Sequence, residues 1–306
     1  MAVVVLAGGT GGAKLARGMA DVVGPAELVV VANTGDDVEV YGGHVSPDPD
    51  LCTFWLADRI NDRGWGIDGD TFAVMDGLRA LGVDVWFNLG DRDLALCLER
   101  RRRLDAGERL TDAHRALTAA LGVESTVLPM CDEPVRTVVK AAGEWWPFQD
   151  FMIRRRGEGP VEDVRFEGVQ AATATPEVLD AIANADAVIV GPSNPVISIG
   201  PILAVPGIAD ALRRTAAPVV AVSPIVGGKV VKGPTATFMA GQGLTVDAEG
   251  IAEAYSGLLD GLVADEEAPG AGLPVIVTDT MMGDAAARAR VARTTLDFAR
   301  GLAAAA

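Results

Sequence analysis

Seven short apolar runs rich in β-branched residues punctuate the chain, at 3–6, 28–32, 83–87, 126–128, 187–190, 219–222 and 275–277. Several are apolar on both faces, and a strand of that kind must be covered on both sides. Segments of helical character lie between them, at 13–21, 51–61, 70–81, 94–104 and 111–121. Thr175-Pro176-Glu177 joins a capping hydroxyl to a proline at the first helical position and opens a helix to Asn184. A final helix spans about 284–302. This alternation predicts an α/β fold, a Rossmann-like three-layer α/β/α sandwich around a mostly parallel, doubly wound sheet. The 306 residues suffice for a single such domain. The rhythm breaks over 134–168, where strand-like pieces, aromatics and the run Arg154-Arg155-Arg156 predict a small α+β insertion, a flap over the site. That arginine run is a solvated edge or a ligand contact. Residues 266–272 form a surface loop.

The first run leads straight into Gly8-Gly9-Thr10-Gly11-Gly12-Ala13-Lys14-Leu15. A glycine-rich turn between a strand and a helix suits a phosphate, because the backbone comes close to the ligand and the helix N-terminal amides face it. A P-loop would need Ser or Thr after the lysine to hold Mg²⁺, and Leu15 stands there. A dinucleotide fingerprint would start at Gly9, and its third glycine is replaced by Lys14. The second run ends in Val31-Ala32-Asn33 with no acid in place for a ribose, so a nicotinamide oxidoreductase is disfavoured. An anion site survives, built from Gly8 to Gly12 with Thr10.

Asn33-Thr34-Gly35-Asp36-Asp37 follows the second run, and Ser46-Pro47-Asp48-Pro49-Asp50 comes soon after. Loops after strand C-termini line the crevice of an open α/β sheet. Four aspartates there repel one another unless a cation sits between them, and Mg²⁺ with a phosphate fits that description. The plainer alternative is that Asp50 caps the following helix and that Asp36 and Asp37 make a turn. Leu89-Gly90-Asp91-Arg92-Asp93 offers Arg92 as a phosphate contact or carboxylate clamp, or else Asp91 as a helix cap with a surface arginine. Gly191-Pro192-Ser193-Asn194-Pro195 and Val222-Ser223-Pro224-Ile225 add uncharged amides and hydroxyls at two later strand ends. Together these loops make one nucleotide-sized cleft.

A net charge of −16 argues against nucleic acid and anionic membranes as partners. No run reaches the ~18 apolar residues of a membrane helix. Three scattered cysteines without a CxxC pair read as buried apolar residues in a reducing compartment, and two histidines do not make a His-rich zinc site. A cytoplasmic protein is expected.

The ordered set resembles the 2-phospho-L-lactate transferase family. The matching pieces are Gly8-Gly9-Thr10-Gly11, Asn33-Thr34-Gly35-Asp36-Asp37, Pro47-Asp48-Pro49-Asp50, Arg63-Gly64-Trp65-Gly66-Ile67, Leu89-Gly90-Asp91-Arg92-Asp93, Leu128-Pro129-Met130, Phe148-Gln149-Asp150-Phe151, Gly191-Pro192-Ser193-Asn194-Pro195 with Ser198-Ile199-Gly200, and Val222-Ser223-Pro224-Ile225. Each is weak alone; their order along nearly the whole chain is specific.

The resemblance implies a Mg²⁺-dependent transfer in coenzyme F420 biosynthesis. A guanylylated phospho-acid meets the deazaflavin Fo, the ribityl hydroxyl of Fo attacks the acid-bearing phosphorus, and GMP leaves. It further implies Asp48 and Asp50 as catalytic residues, one binding metal and the other orienting the hydroxyl, with Asp37 as a further metal ligand. Gly8, Gly9, Thr10, Gly11, Gly12, Gly191, Ser193 and Asn194 would line the guanosine diphosphate. Asn33, Asp36, Asp37, Asp91, Arg92 and Ser223 complete the candidate substrate contacts. Asn88 stands where some members carry a lysine associated with Fo binding, and an amide cannot supply that charge. A homodimer is implied as well. The alternative is the related gluconeogenesis-factor family, whose members are regulatory proteins that bind nucleotide sugars.

Overall fold

The computed structural model describes residues 2–231 and 233–305. Among them, seven strands form one parallel sheet: β1 (Val3–Ala7), β2 (Leu28–Ala32), β3 (Thr126–Pro129), β4 (Ala187–Val190), β5 (Val219–Val222), β6 (Gly261–Ala264) and β7 (Val275–Val277). Their order across the sheet is β7-β6-β5-β4-β1-β2-β3. Strand β1 is central and buried throughout; its Val5 pairs with Val30 of β2 on one side and Ile189 of β4 on the other.

The period of two that defines a strand sends alternate residues of β1 into different cores. Val4 and Leu6 join one cluster, covered by the helices Pro176–Ala183, Ile208–Arg214 and Ala248–Ala254. Val3, Val5 and Ala7 join the other, covered by Gly9–Val23, Pro47–Leu56 and Ala285–Ala305. The fold is the expected α/β/α sandwich. At about 1.5–3 kcal/mol for each fully buried aliphatic side chain, these two cores are the main source of its stability. The Thr175 hydroxyl caps its helix as predicted, accepting a hydrogen bond from the Val178 amide at 3.3 Å.

Among the described residues one expected strand is absent and one strand was not expected. Residues 83–87 form no strand. Val83 is exposed, Val85 and Phe87 pack into a separate small cluster around Met75, Leu89 and Cys97, and the Phe87 amide donates to the Tyr41 hydroxyl at 3.2 Å. The segment is apolar because it seals that satellite core. Strand β6 escapes notice in the sequence because it begins at a glycine and holds one β-branched residue, Val263. Gly261 is required there: a Cβ would stand 2.6 Å from the Phe298 ring.

Strands Arg136–Ala141, Glu144–Pro147 and Val161–Glu167 form a separate antiparallel sheet with Arg136–Ala141 in the middle. It meets the loop after β2 through the Thr137 amide, which donates to Gly35 O at 2.7 Å, and Gln149 Nε2, which donates to Asp36 O at 2.9 Å. Among the described residues no single helix is long and apolar enough to cross a membrane.

Candidate active site

The sheet order reverses between β1 and β4, and in such sheets the crevice opens at the strand C-termini of that switch point. The loops leaving these two strands touch. A Cβ on Gly11 would fall 2.0 Å from Pro192 O, and one on Gly191 would fall 3.0 Å from Gly12 Cα. Glycine is needed at both positions because two backbones meet without room for a side chain. Gly9 also has φ +64, which glycine adopts without strain. A cleft of about 300 Å³ opens beside the two loops, lined by Gly8 to Gly11, Lys14, Ser193, Asn194, Ser198 and Ser223 among others. The 15-residue helix Gly9–Val23 points its N-terminus into this cleft, so its amides and dipole favour an anion there.

Aspartates hold the floor of the cleft from behind. Asp48 Oδ1 accepts the Gly9 amide at 2.7 Å, and Asp48 Oδ2 accepts from Asn33 Nδ2 at 3.0 Å. Asn33 is itself held by the Gly35 amide, which donates to its Oδ1 at 2.7 Å. One carboxylate therefore ties the glycine loop to the end of β2. Burial raises the Asp48 pKa to about 6, against the bonds from Gly9 and Asn33, and the Asp37 charge adds to the rise. Asp36 is pushed well above the ordinary carboxylate range by burial and then by the charge of Asp48. Its Oδ1 is buried with no hydrogen-bond partner among the described residues.

Asp37 and Asp50 have local partners. Asp37 accepts from His44 Nε2 at 2.9 Å and from the Ser46 hydroxyl at 2.8 Å. Burial opposes charge on His44, but its bonds to Asp37 and Glu39 outweigh that and raise its pKa. Asp50 is ion-paired to Arg100, a side chain with 0% exposure whose other nitrogen donates to His44 O at 2.8 Å.

Asp36, Asp37, Asp48 and Asp50 are hard oxygen donors of the kind a divalent cation takes, but both oxygens of Asp37 and of Asp48 are already hydrogen-bonded to neighbouring groups. The carboxylates repel one another, and two buried oxygens, Asp36 Oδ1 and Asp50 Oδ2, have no hydrogen-bond partner among the described residues. Among the described residues the group that brings three ligand atoms within 4.8 Å of one another is Asp50, Asp93 and Cys97. There the Arg100 guanidinium already answers Asp50, and a thiol is a soft ligand that Mg²⁺ does not select.

The sequence matches the family profile described as 2-phospho-L-lactate transferase CofD over residues 3–274. The chain belongs to the CofD family. It is 42% identical over 325 aligned positions to the 2-phospho-L-lactate transferase of Haloarcula marismortui, covering 95% of this chain and 97% of that protein. It is 40% identical to the 2-phospho-L-lactate transferase of Methanosarcina mazei, covering 86% of each. It is also 40% identical to the phosphoenolpyruvate transferase of Streptomyces griseus subsp. griseus, covering 98% of each. A crystal structure of a UPF0052 family member from Bacillus halodurans shares the fold, with a TM-score of 0.65 over 96% of this chain and 98% of that one at 16% identity. The chain is accordingly an enzyme of the transferase class.

In this CofD-family chain the predicted residues divide into two groups. Gly8, Gly9, Thr10, Gly11, Ser193, Asn194 and Ser223 line the cleft, Gly12 and Gly191 pack beneath it, and Asn33, Asp36, Asp37 and Asp48 gather behind its floor. Asn194 Oδ1 caps the turn at Val196 and Ile197, which leaves its buried Nδ2 without a partner among the described residues. Asn88, Asp91 and Arg92 are not part of the cleft lining. Asn88 accepts from Arg79 at 2.7 Å. Asp91 accepts the amides of Ala73 and Val74, each at 3.0 Å, and so caps the helix Ala73–Ala80. Asp70 returns the favour by accepting the Arg92 and Asp93 amides at the start of Asp91–Asp105. The Arg92 guanidinium donates to Asp68 O at 3.1 Å.

Several site residues carry little signal in sequence. Arg100 is one of four consecutive arginines, yet Asp93, Cys97 and Arg100 follow i, i+4, i+7 spacing, which places them on one helix face. Ser198, by contrast, belongs to the Ser198-Ile199-Gly200 piece of the matching set; it stands against Gly8, whose Cβ would come 2.7 Å from the serine Cβ. Thr280, Met281 and Met282 reach the cleft from beyond β7, and no local pattern announces them.

Proposed function

We propose that the protein transfers a phospho-acid from its guanosine diphosphate adduct to the ribityl hydroxyl of the deazaflavin Fo, releasing GMP and forming F420-0 or dehydro-F420-0. The hydroxyl oxygen forms a bond to the acid-bearing phosphorus. The bond from that phosphorus to the bridging oxygen breaks, its electron pair departs with GMP, and the hydroxyl proton passes to water. What most supports this reading is a nucleotide-sized cleft, floored by helix N-terminal amides and backed by buried aspartates, in a CofD-family chain.

Phosphoryl transfer of this kind depends on positioning and charge stabilisation. Asp48 fixes the Gly9 amide, and with it the orientation of the donors that face the diphosphate. Mg²⁺ held by carboxylates drawn from Asp37, Asp48 and Asp50 would neutralise charge on the phosphates. Asp50, paired with Arg100, acts as a positioning residue for the start of the helix that carries Asp48. The donor acid is 2-phospho-L-lactate or phosphoenolpyruvate, since relatives named for each are equally similar to this chain.

The test is an assay of purified protein with Fo, Mg²⁺ and each guanylylated acid, following GMP and the new diester. Turnover with one donor at least tenfold above the other is expected. No turnover with either, together with tight binding of a nucleotide sugar, would overturn the reading.

A further inference from the structure

Residues 63–67 belong to the matching motif set, and the transfer chemistry above leaves them without a role. They form a built turn. Ile60 and Ile67 pair as an antiparallel bridge, and the Asn61 amide donates to Gly66 O at 3.1 Å. Asn61 Oδ1 accepts the Arg63 amide at 3.1 Å and the Trp65 amide at 3.4 Å. Gly64 and Gly66 flank Trp65, each with φ +77, a conformation that side chains rarely adopt. The turn stands against the phosphate loop: a Cβ on Gly64 would come 3.9 Å from Thr10 Cγ2.

This turn holds Trp65 in the cleft lining with 58% of its surface still open. Met281 and Val231, 43% and 55% exposed, line the same cleft. Large apolar side chains on a protein surface are normally scattered, and a group of them lining one cleft beside a few polar groups is the usual make-up of a ligand site.

We propose that Trp65, with Met281 and Val231, is the stacking platform for the purine ring of the guanosine nucleotide. This rests on the transfer reading and adds a binding determinant to it. Fo is also a planar nitrogen heterocycle, and two observations favour the purine. Trp65 shares one cleft with the glycine-loop amides, so a ring attached to the bound diphosphate reaches it directly. In-line displacement brings the acceptor to phosphorus from the side opposite the departing GMP. In addition, about 300 Å³ is at the lower end for a ligand pocket and accommodates one ring system more readily than two.

The experiment is calorimetric titration of GDP and, separately, of Fo into wild type, Trp65→Phe, Trp65→Ala and Met281→Ala. Circular dichroism and melting curves on each variant verify the fold. Base–aromatic stacking predicts that Trp65→Ala weakens GDP about 5- to 150-fold. Trp65→Phe should stay within about 3-fold of wild type, because the aromatic face is retained. Fo affinity should be unchanged throughout, and GDP should quench wild-type tryptophan emission more than that of Trp65→Phe. Wild-type GDP affinity in a folded Trp65→Ala variant overturns the proposal, as does a loss confined to Fo. If wild type turns over while GDP binding ignores Trp65, this inference alone fails. If wild type neither turns over nor binds GDP, the transfer reading fails and takes the inference with it.

Discussion

Asp48 works against the preference of a buried carboxyl for its neutral form. With its pKa raised to about 6 by burial, it is ionised above that pH and protonated below it. The proposed role needs the carboxylate, so kcat/KM should fall about tenfold per pH unit below about pH 6, as measured in a pH–rate profile. Asp48→Asn should lose at least about 100-fold in activity while its circular dichroism spectrum is kept, since an amide oxygen still accepts from Gly9. Unchanged turnover would remove Asp48 from the site. Asp93 allows a test of stability instead of rate. Burial and then the Asp50 charge raise its pKa to about 7. A carboxyl whose pKa is raised on folding contributes stability that is complete below its unfolded value, about 4, and is lost as pH rises through the folded value. Asp93→Asn should therefore stabilise the protein by roughly 1–3 kcal/mol at pH 8 and by almost nothing at pH 4. Urea midpoints at the two pH values measure this, and equal effects at both would refute it.

The helix Asp91–Asp105 joins the satellite core to the site. Its Arg100 meets Asp50 in the interior, and its first turn is capped by Asp70 while its own Asp91 caps Ala73–Ala80. Gly90 makes that exchange possible, because a Cβ there would fall 2.1 Å from an Asp70 oxygen. Removing one member of a buried ion pair leaves the other uncompensated, so Arg100→Leu should cost about 3–5 kcal/mol. Adding Asp50→Leu should recover a large part of that loss, which chemical denaturation of the single and double variants will show. The local signals of this region were readable in part. Its helices follow their periodicity, and the Thr175 cap and Pro176 start were plain in the sequence for the same reason. The reciprocal caps were not, since Asp70 and Asp91 are 21 residues apart and each serves the helix of the other.

Across the whole molecule, a ligand that binds only the native state must raise its stability. GDP with Mg²⁺ at about 100 times its Kd should add about 2.7 kcal/mol, seen as an upward shift of several degrees in Tm. A nucleotide sugar at the same concentration should give no comparable shift; the reverse ranking would favour the regulatory reading. The α/β class was legible because strands buried on both faces lose their polar alternation, and the glycine loop and aspartates were legible because they follow those strands. Residues 83–87 mimic such a strand because sealing a small core demands the same apolar side chains as joining a sheet. Strand β6 lacks the signal because its place between β5 and β7, and not its side chains, makes it extended. Composition and local pattern thus carried the fold class and the tight glycine turn after β1, both of which arise from short-range backbone preference and burial. The pairing of Asp50 with Arg100, the tie from Asp48 to Gly9, and the arrival of Trp65 and Met281 at one cleft depend on long-range packing. Residues that are tens to hundreds apart in the chain become neighbours there, and no spacing in the sequence encodes the distance between them.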